Sequence, residues 1–255
     1  MTGGSPPKLS VNLNKIATLR NSRGGAVPSV TEALGVCVSA GAPGITLHPR
    51  ADARHITFPD VRAVAAALPS LDSGVELNIE GDPRPDLLAL AEEVRPAQFT
   101  LVPVRPGEIT SQAGWDPSTP AAELREAVRR LQGAGIRVSI FVSPEPAALR
   151  WAASAGGDRV ELYTEPYARA FHEGTGRASF DQYAAMARLA HELGLGVNAG
   201  HDLDLDNLRL FRDLPHLDEV SIGHALISRA LYVGLERAVR EYLAVLSGEA
   251  RTLVL

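Results

Sequence analysis

Short apolar runs alternate along the chain with longer stretches of helical periodicity. The runs are Leu9 to Leu13, Gly44 to His48, Val75 to Ile79, Phe99 to Val102, Ile136 to Val142, Arg159 to Tyr163, Gly196 to Ala199 and Glu219 to Ile222. Between them, helical spacing marks residues 30–40, 59–68, 85–94, 121–134, 145–155, 179–193 and 205–212, with a last stretch over 228–246. The alternation predicts βα units around a parallel sheet, because joining parallel strands requires a crossover. Punctuation agrees with it. Ser118-Thr119-Pro120 stands ahead of Ala121-Ala122-Glu123 as a helix start, and Gly133 with Gly135 stops that helix before Ile136. The same stop recurs at Gly41, at Gly156-Gly157 and at Gly194. Eight units with no interdomain linker predict an α/β chain folded as a single closed (β/α)8 TIM barrel, with extra loop or helical elements at its C-terminal face. Residues 8–247 are read as the barrel, 1–7 as a disordered tail and 248–255 as a C-terminal tail.

In such barrels chemistry sits where strands end, so polar residues closing an apolar run carry the most weight. Strand one closes on Asn12-Leu13-Asn14-Lys15, strand two on His48-Pro49-Arg50, strand three on Asn78-Ile79-Glu80 and strand six on Glu161-Leu162-Tyr163-Thr164. Strand seven closes on Asn198-Ala199-Gly200-His201-Asp202 and strand eight on Gly223-His224. A lone histidine is more often structural, but His48, His201 and His224 converge on one mouth with His55 in the loop after strand two. Neutral imidazoles placed there can give or take a proton near pH 7. Glu80 and Glu161 are the carboxylates of that mouth. Desolvation raises the pKa of such a group into the range useful for proton transfer, and an ion pair with Arg50 or Lys15 is the competing role.

Composition narrows the ligand. With 45% hydrophobic and 22% charged residues the chain can bury a large core, and its formal charge of -5 offers no global attraction to nucleic acid or anionic lipid. Any anionic ligand is therefore held locally. No run of about 18 apolar residues exists to span a membrane, and MTGGSPPK has no signal-peptide core, so a cytoplasmic protein is expected. The single cysteine, Cys37, lies in an apolar helical stretch with no His or Lys beside it, as a buried structural thiol would.

Phosphate capture is suggested at two places. Asn21-Ser22-Arg23-Gly24-Gly25, read as a flexible turn after strand one, offers backbone N–H groups and a guanidinium. Gly200-His201-Asp202 and Gly223-His224-Ala225 fall where barrels build phosphate cradles. Glycine turns are weak signals singly, but two in one mouth suggest two phosphorylated ligands. The irregular stretch 103–116 is too long for a plain βα loop and reads as a lid, from which Thr110 can reach a phosphate. The chain has no CxxC, HExxH, nucleophile elbow, Walker loop or dinucleotide fingerprint. Asn12-Leu13-Asn14 stands where metallo-hydrolase barrels open with His-x-His, so no metal site is expected.

From about Leu9 to Leu246 the sequence resembles the pyridoxine 5′-phosphate synthase family of vitamin B6 biosynthesis. The resemblance is carried in order by the run from Asn12 to Gly24, by Gly44-Ile45-Thr46-Leu47-His48-Pro49-Arg50 with Arg54-His55-Ile56, by Val197-Asn198-Ala199-Gly200-His201, and by Ile222-Gly223-His224-Ala225. It implies condensation of 1-deoxy-D-xylulose 5-phosphate with 3-amino-2-oxopropyl phosphate, without an organic cofactor. His48 would then be a proton acceptor, Glu80 a second acid/base, His201 the proton donor and Glu161 a stabiliser of transition-state charge. Asn12, Arg23, Asp202, Gly223 and His224 would hold the aminoketone phosphate, and Arg50, His55 and Thr110 the pentulose phosphate. The resemblance also implies a homo-octamer. Two departures stand out. Asn14-Lys15 replaces an Asp-His pair that contacts the pentulose phosphate in many members, and Asp202 replaces a glycine. Lys15 remains a candidate phosphate ligand, and an inward-pointing Asp202 a candidate partner for the amino group. The competing readings are a phosphosugar isomerase or epimerase with one phosphate site, and a non-catalytic ligand-binding barrel. The apolar stripe Leu226, Leu231, Leu235, Val239 and Leu243 in the last helical stretch is expected to face the core, with an interface as its other use.

Overall fold

The structure, a computed structural model, describes residues 5–72, 74–104 and 113–249. Eight parallel strands close into one barrel in sequence order: β1 (Lys8–Asn12), β2 (Gly44–Leu47), β3 (Glu76–Gly81), β4 (Gln98–Leu101), β5 (Arg137–Val142), β6 (Arg159–Tyr163), β7 (Gly196–Gly200) and β8 (Leu217–Ile222). Helices α1 (Asn14–Asn21) and α2 (Val30–Ser39) follow β1, and α3 (Phe58–Leu71), α4 (Pro85–Val94), α5 (Ala121–Gly133) and α6 (Pro146–Ala155) follow β2 to β5. After β6 come α7 (Glu165–His172) and α8 (Gly176–Glu192), after β7 α9 (Leu208–Phe211), and after β8 α10 (His224–Val233) and α11 (Leu235–Ser247). The single (β/α)8 barrel expected from the apolar pattern is the fold observed.

Alternation along each strand decides where the core lies. Leu9, Val11, Ile45, Leu47, Leu77, Ile79, Phe99, Leu101, Val138, Ile140, Val160, Leu162, Val197 and Val220 are buried apolar positions of the strands, in one cluster with the helix residues. The alternate positions are polar and point inward. The Ser10 and Thr46 hydroxyls meet at 2.6 Å, Asn78 donates to Thr46 at 3.3 Å and Thr100 donates to Asn78 at 3.1 Å. One layer lower, Gln98 reaches across the barrel to Glu219 at 3.2 Å, and Asn198 donates to Gln98 at 3.2 Å. Most of the barrel interior is thus a ladder of hydrogen-bonded polar groups, with the Ser139 hydroxyl buried without a partner and Phe141 as an apolar member, and the apolar core is the shell between sheet and helices.

Three elements depart from the sequence reading. The segment after β1 is helical over Asn14–Asn21, so the glycine turn at 22–25 lies a helix away from the strand end; with Ala17 its one buried residue, α1 left no periodic apolar signal. The extra helix α7 occupies what reads as loop, started by Pro166 in its first turn. The final stretch breaks at Gly234 (φ 84°), which splits the expected apolar stripe: Leu226 and Val239 are buried, whereas Leu231 is 71% exposed. Cys37 is fully buried, and burial pushes its thiol up to about 12.

Candidate active site

The C-terminal ends of the strands open on a cavity of about 430 Å³. β1 and α1 give it Asn12, Asn14 and Lys15; the end of β2 and the following loop give His48, Arg50, Arg54 and His55; β3 and β6 give Glu80 and Glu161. The β7 and β8 ends give His201, Asp202, Ser221, Gly223 and His224. Thus twelve of the fourteen residues read from sequence as site residues line one mouth. Arg23 does not: it is exposed, two residues past the end of α1, because the helix carries it away from the strand end. Thr110 and most of the supposed lid lie outside the described residues. Beyond them, Trp115 is fastened to the barrel by its indole, which donates to the Leu101 carbonyl at 2.9 Å, and by its amide on Phe141 at 3.1 Å.

The mouth has two chemical regions. On the β1–β2 side, Lys15, Arg50 and Arg54 surround His55, and burial together with these cations holds His55 down at about 4. Local capping chemistry fixes this wall. Thr57 and Asp60 form a capping box that starts α3, and Asp60 also takes the Arg20 guanidinium from α1. Asn21 of α1 donates to the His55 carbonyl at 2.8 Å. The helix that sequence reading missed is therefore what anchors the His55 loop.

At the centre, Asn14 Oδ1 accepts the His48 backbone N–H at 2.9 Å, and Asn12 Oδ1 accepts that of Asn14 at 3.0 Å. Asn14 thus positions His48 through an acceptor oxygen at the place where an aspartate would present a carboxylate oxygen. Burial holds the His48 imidazole well below its ordinary pKa, with His55, Arg50, Arg84 and His201 adding to the effect. Its Nε2 is buried without a hydrogen-bond partner, as is His55 Nδ1. Glu80 lies within β3 and is 8% exposed; Asn12 Nδ2 and Ser221 Oγ each approach its carboxyl at 3.5 Å. Burial pushes Glu80 up to about 7 against the weak pull of Ser221, with Glu219 adding to the rise. His48 Nδ1 stands 3.8 Å from Glu80 Oε2, and since burial opposes charge on both, they form a neutral acid/base couple and not an ion pair. Glu161 is raised further, by burial and then by Glu80 and Glu219.

His201 packs its ring against Phe141 (centroids 5.1 Å apart) and Tyr163 (5.4 Å). Burial lowers its pKa while Asp202 acts the other way. Gly200 must lack a side chain, because a Cβ there would lie 2.4 Å from Glu161 Oε1. Gly223 and His224 line the mouth and open α10, so the N-terminus of a ten-residue helix stands at its edge. Ser221, Thr18, Arg54 and Val102 line the cavity without having been singled out as site residues. Ser221 was legible as the position two before Gly223, on the inward parity of β8. Among the described residues no three His, Cys, Asp or Glu side chains cluster as a metal site, and no helix is long and apolar enough to cross a membrane.

An imidazole kept neutral, two carboxyls kept protonatable and a cationic wall, held at the open end of a (β/α)8 barrel, define an enzyme of acid/base chemistry on anionic substrates. The chain belongs to the family of pyridoxal phosphate biosynthesis protein PdxJ, matched over residues 9–248. It is 52% identical to the pyridoxine 5′-phosphate synthase of Christiangramia forsetii over 94% of this chain and 99% of that one. It is 49% identical to that of Xanthomonas campestris pv. campestris over 96% and 98%. Solved structures resemble it in fold alone: thiamine phosphate pyrophosphorylase from Pyrococcus furiosus (TM-score 0.62, 11% identity, 96% of each chain) and phosphoribosyl anthranilate isomerase from Thermotoga maritima (TM-score 0.59, 13% identity, 95% of this chain and 99% of that one).

Proposed function

We propose that this mouth condenses 3-amino-2-oxopropyl phosphate with 1-deoxy-D-xylulose 5-phosphate, closing the ring of pyridoxine 5′-phosphate and releasing phosphate and water. Family membership and half-identity to synthases over nearly the whole chain support the reaction. The observation that carries the mechanism is the juxtaposition of a neutral His48 with a Glu80 poised at about 7 in one buried mouth. Imine formation, dehydration and aromatising ring closure are successive proton transfers, for which a group near the working pH serves in both directions. His48 accepts protons from the bound substrate, and Glu80 gives and takes them. His201, whose pKa burial lowers while Asp202 acts the other way, is the donor on the opposite side. Glu161 stabilises charge that develops in the transition state.

Two phosphates fit the two regions. Lys15, Arg50 and Arg54 form the cationic wall that takes the pentulose phosphate, with the neutral His55 among them, and Lys15 there supplies a fixed charge in place of the imidazole common in the family. Asn12, Gly223, His224 and the N-terminus of α10 take the aminoketone phosphate. Gripping both ends converts the condensation into an effectively intramolecular step. We read the protein as an enzyme of the cytoplasm and as a homo-octamer, the second of which sedimentation at micromolar concentration tests. The reaction itself is tested by mixing the protein with both substrates and no added cofactor, following pyridoxine 5′-phosphate and inorganic phosphate together, with His48→Asn as control. Equal appearance of both products, lost in the variant, is expected. Absence of product from folded protein would overturn the reading.

A further inference from the structure

His201 is held in an uncommon backbone conformation. Both it and Asp202 have positive φ, 85° and 57°, where side chains other than glycine are disfavoured. Two consecutive residues of this kind persist only when their surroundings over-determine them. The strand pairing that could do so ends one residue earlier, at Tyr163 opposite Gly200.

What takes over is the segment between β6 and α8. Thr164, the residue before α7, is fully buried. Its amide donates to the Gly200 carbonyl at 3.0 Å, its hydroxyl reaches the same carbonyl at 2.6 Å, and the hydroxyl also closes a short contact to the His201 carbonyl. One turn on, Tyr167 donates its hydroxyl to the Asn207 carbonyl at 2.7 Å. Asn207, also fully buried, donates its side-chain amide to the Asp202 carbonyl at 3.0 Å and accepts the Asp204 N–H at 2.9 Å. The carbonyls of residues 200, 201 and 202 are thereby held in turn by two side chains that touch nothing in the reaction. β6 completes the frame, since Tyr163 supplies one wall of the His201 ring's aromatic box, and Tyr183 of α8 holds the Tyr163 carbonyl at 2.5 Å.

We propose that Thr164 and Asn207 are positioning residues for His201, and that the α7 insertion is the clamp that keeps the histidine's backbone left-handed and its ring against Phe141 and Tyr163. The proposal rests on the reading of His201 as proton donor. In that reading a ring displaced by about 1 Å costs turnover on the order of 100-fold, while the phosphate contacts that set KM lie elsewhere in the mouth.

The test compares Thr164→Val, which keeps the shape and removes the hydroxyl, with Thr164→Ser, which keeps the hydroxyl. Thr164→Val is expected to lower kcat by about 10- to 100-fold with KM for both substrates within about threefold, and Thr164→Ser to restore kcat to within about threefold of the parent. Placed on His201→Asn, Thr164→Val should add no further loss, since residues acting as a unit are not additive. Should Thr164→Val fail to fold, Tyr167→Phe, which removes only the hydroxyl on Asn207, is expected to lower kcat by about threefold or more with KM unchanged. An unchanged kcat in the folded valine variant, or in Tyr167→Phe when the valine variant does not fold, would overturn the clamp. So would a full additional loss on top of His201→Asn. Full turnover by His201→Asn alone would instead overturn the role of His201, and the clamp with it.

Discussion

Replacing Glu80 by glutamine separates the cost of burying a carboxyl from its use. The ordinary value for this side chain is 4.5, and burial in the folded mouth pushes it up to about 7. At ~1.4 kcal/mol per pH unit, a pH above both values makes ionisation of Glu80 in the folded protein about 3 kcal/mol costlier than in the unfolded chain. The sign follows from proton counting. Between the two values the folded state binds more protons than the unfolded one, so the parent loses stability as pH rises from 4.5 towards 7 and then levels off. Glutamine has no such loss. It matches the protonated acid in shape and gives up one weak contact, since Asn12 and Ser221 both approach the carboxyl as donors at 3.5 Å. Glu80→Gln is therefore expected to raise Tm by about 6–12 °C at pH 8.5, using about 2–4 °C per kcal/mol for a chain of this size, and to leave it nearly unchanged at pH 4.5. Turnover should fall by at least about 100-fold at every pH. Thermal melts at pH 4.5, 6.5 and 8.5, at one fixed protein concentration, read the first effect. A Tm difference that stays constant across the three would refute the burial argument, and undiminished turnover would refute the acid/base role.

Three further outcomes are expected. Gly200→Ala puts a methyl 2.4 Å from Glu161 Oε1 and 3.3 Å from the Ser221 carbonyl, so it should cost about 1–3 kcal/mol in denaturant melts and lower kcat more than it raises KM. Asp60→Asn weakens the capping box and strips the Arg20 guanidinium of its half-buried partner, which should cost about 2 kcal/mol and raise KM for the pentulose phosphate while sparing KM for the aminoketone; equal rises in both would show that the His55 loop does not serve one substrate. Asp202→Gly relieves a side chain at φ 57° and should leave stability level or raise it by about 1 kcal/mol, whereas a loss greater than that would mean that the aspartate carboxylate contributes to folding.

The fold was legible because the signals for it are redundant along the chain. Helical periods separate the strands, and glycine stops stand before β2, β5, β6 and β7, so no single misread boundary changes the topology. Barrel closure follows from the count of eight. The strands hold a second signal, their parity, which a reading by apolar runs leaves unused. Ser10, Thr46, Asn78, Thr100, Asn198 and Glu219 alternate with residues such as Val11, Ile45, Ile79, Phe99, Val197 and Val220, and that period of two already separated barrel interior from helix-facing shell. The same parity points Glu80, Glu161 and Ser221 inward. What could not be read was α1, α7 and the break at Gly234, all of them places where helix formation rests on caps or on one or two buried residues and not on a sustained apolar stripe.

The exposure of Arg23 and the anchoring of His201 share one cause. A residue's distance from a strand end in sequence equals its distance from the site only while the chain stays extended. Eight residues of α1 rise about 12 Å, enough to carry Arg23 past the rim and leave it exposed, while bringing Arg20 and Asn21 back over the β2–α3 loop. After β6 an inserted helix of the same length does the reverse. It returns Tyr167 towards the β7 loop and leaves Thr164 under the His201 carbonyl. The chemistry of the mouth is written at strand ends, where types and spacing can be read directly. Its rigidity is written in short helices whose contacts are tertiary, so Thr164 and Asn207 look like ordinary loop polar residues until the carbonyls they hold are known. If that division is right, substitutions at Asn12, His48 and Glu80 should abolish turnover without lowering Tm. Substitutions at Arg20, Thr164 and Asn207 should move both together, a contrast that paired kcat and Tm measurements on the six variants would settle.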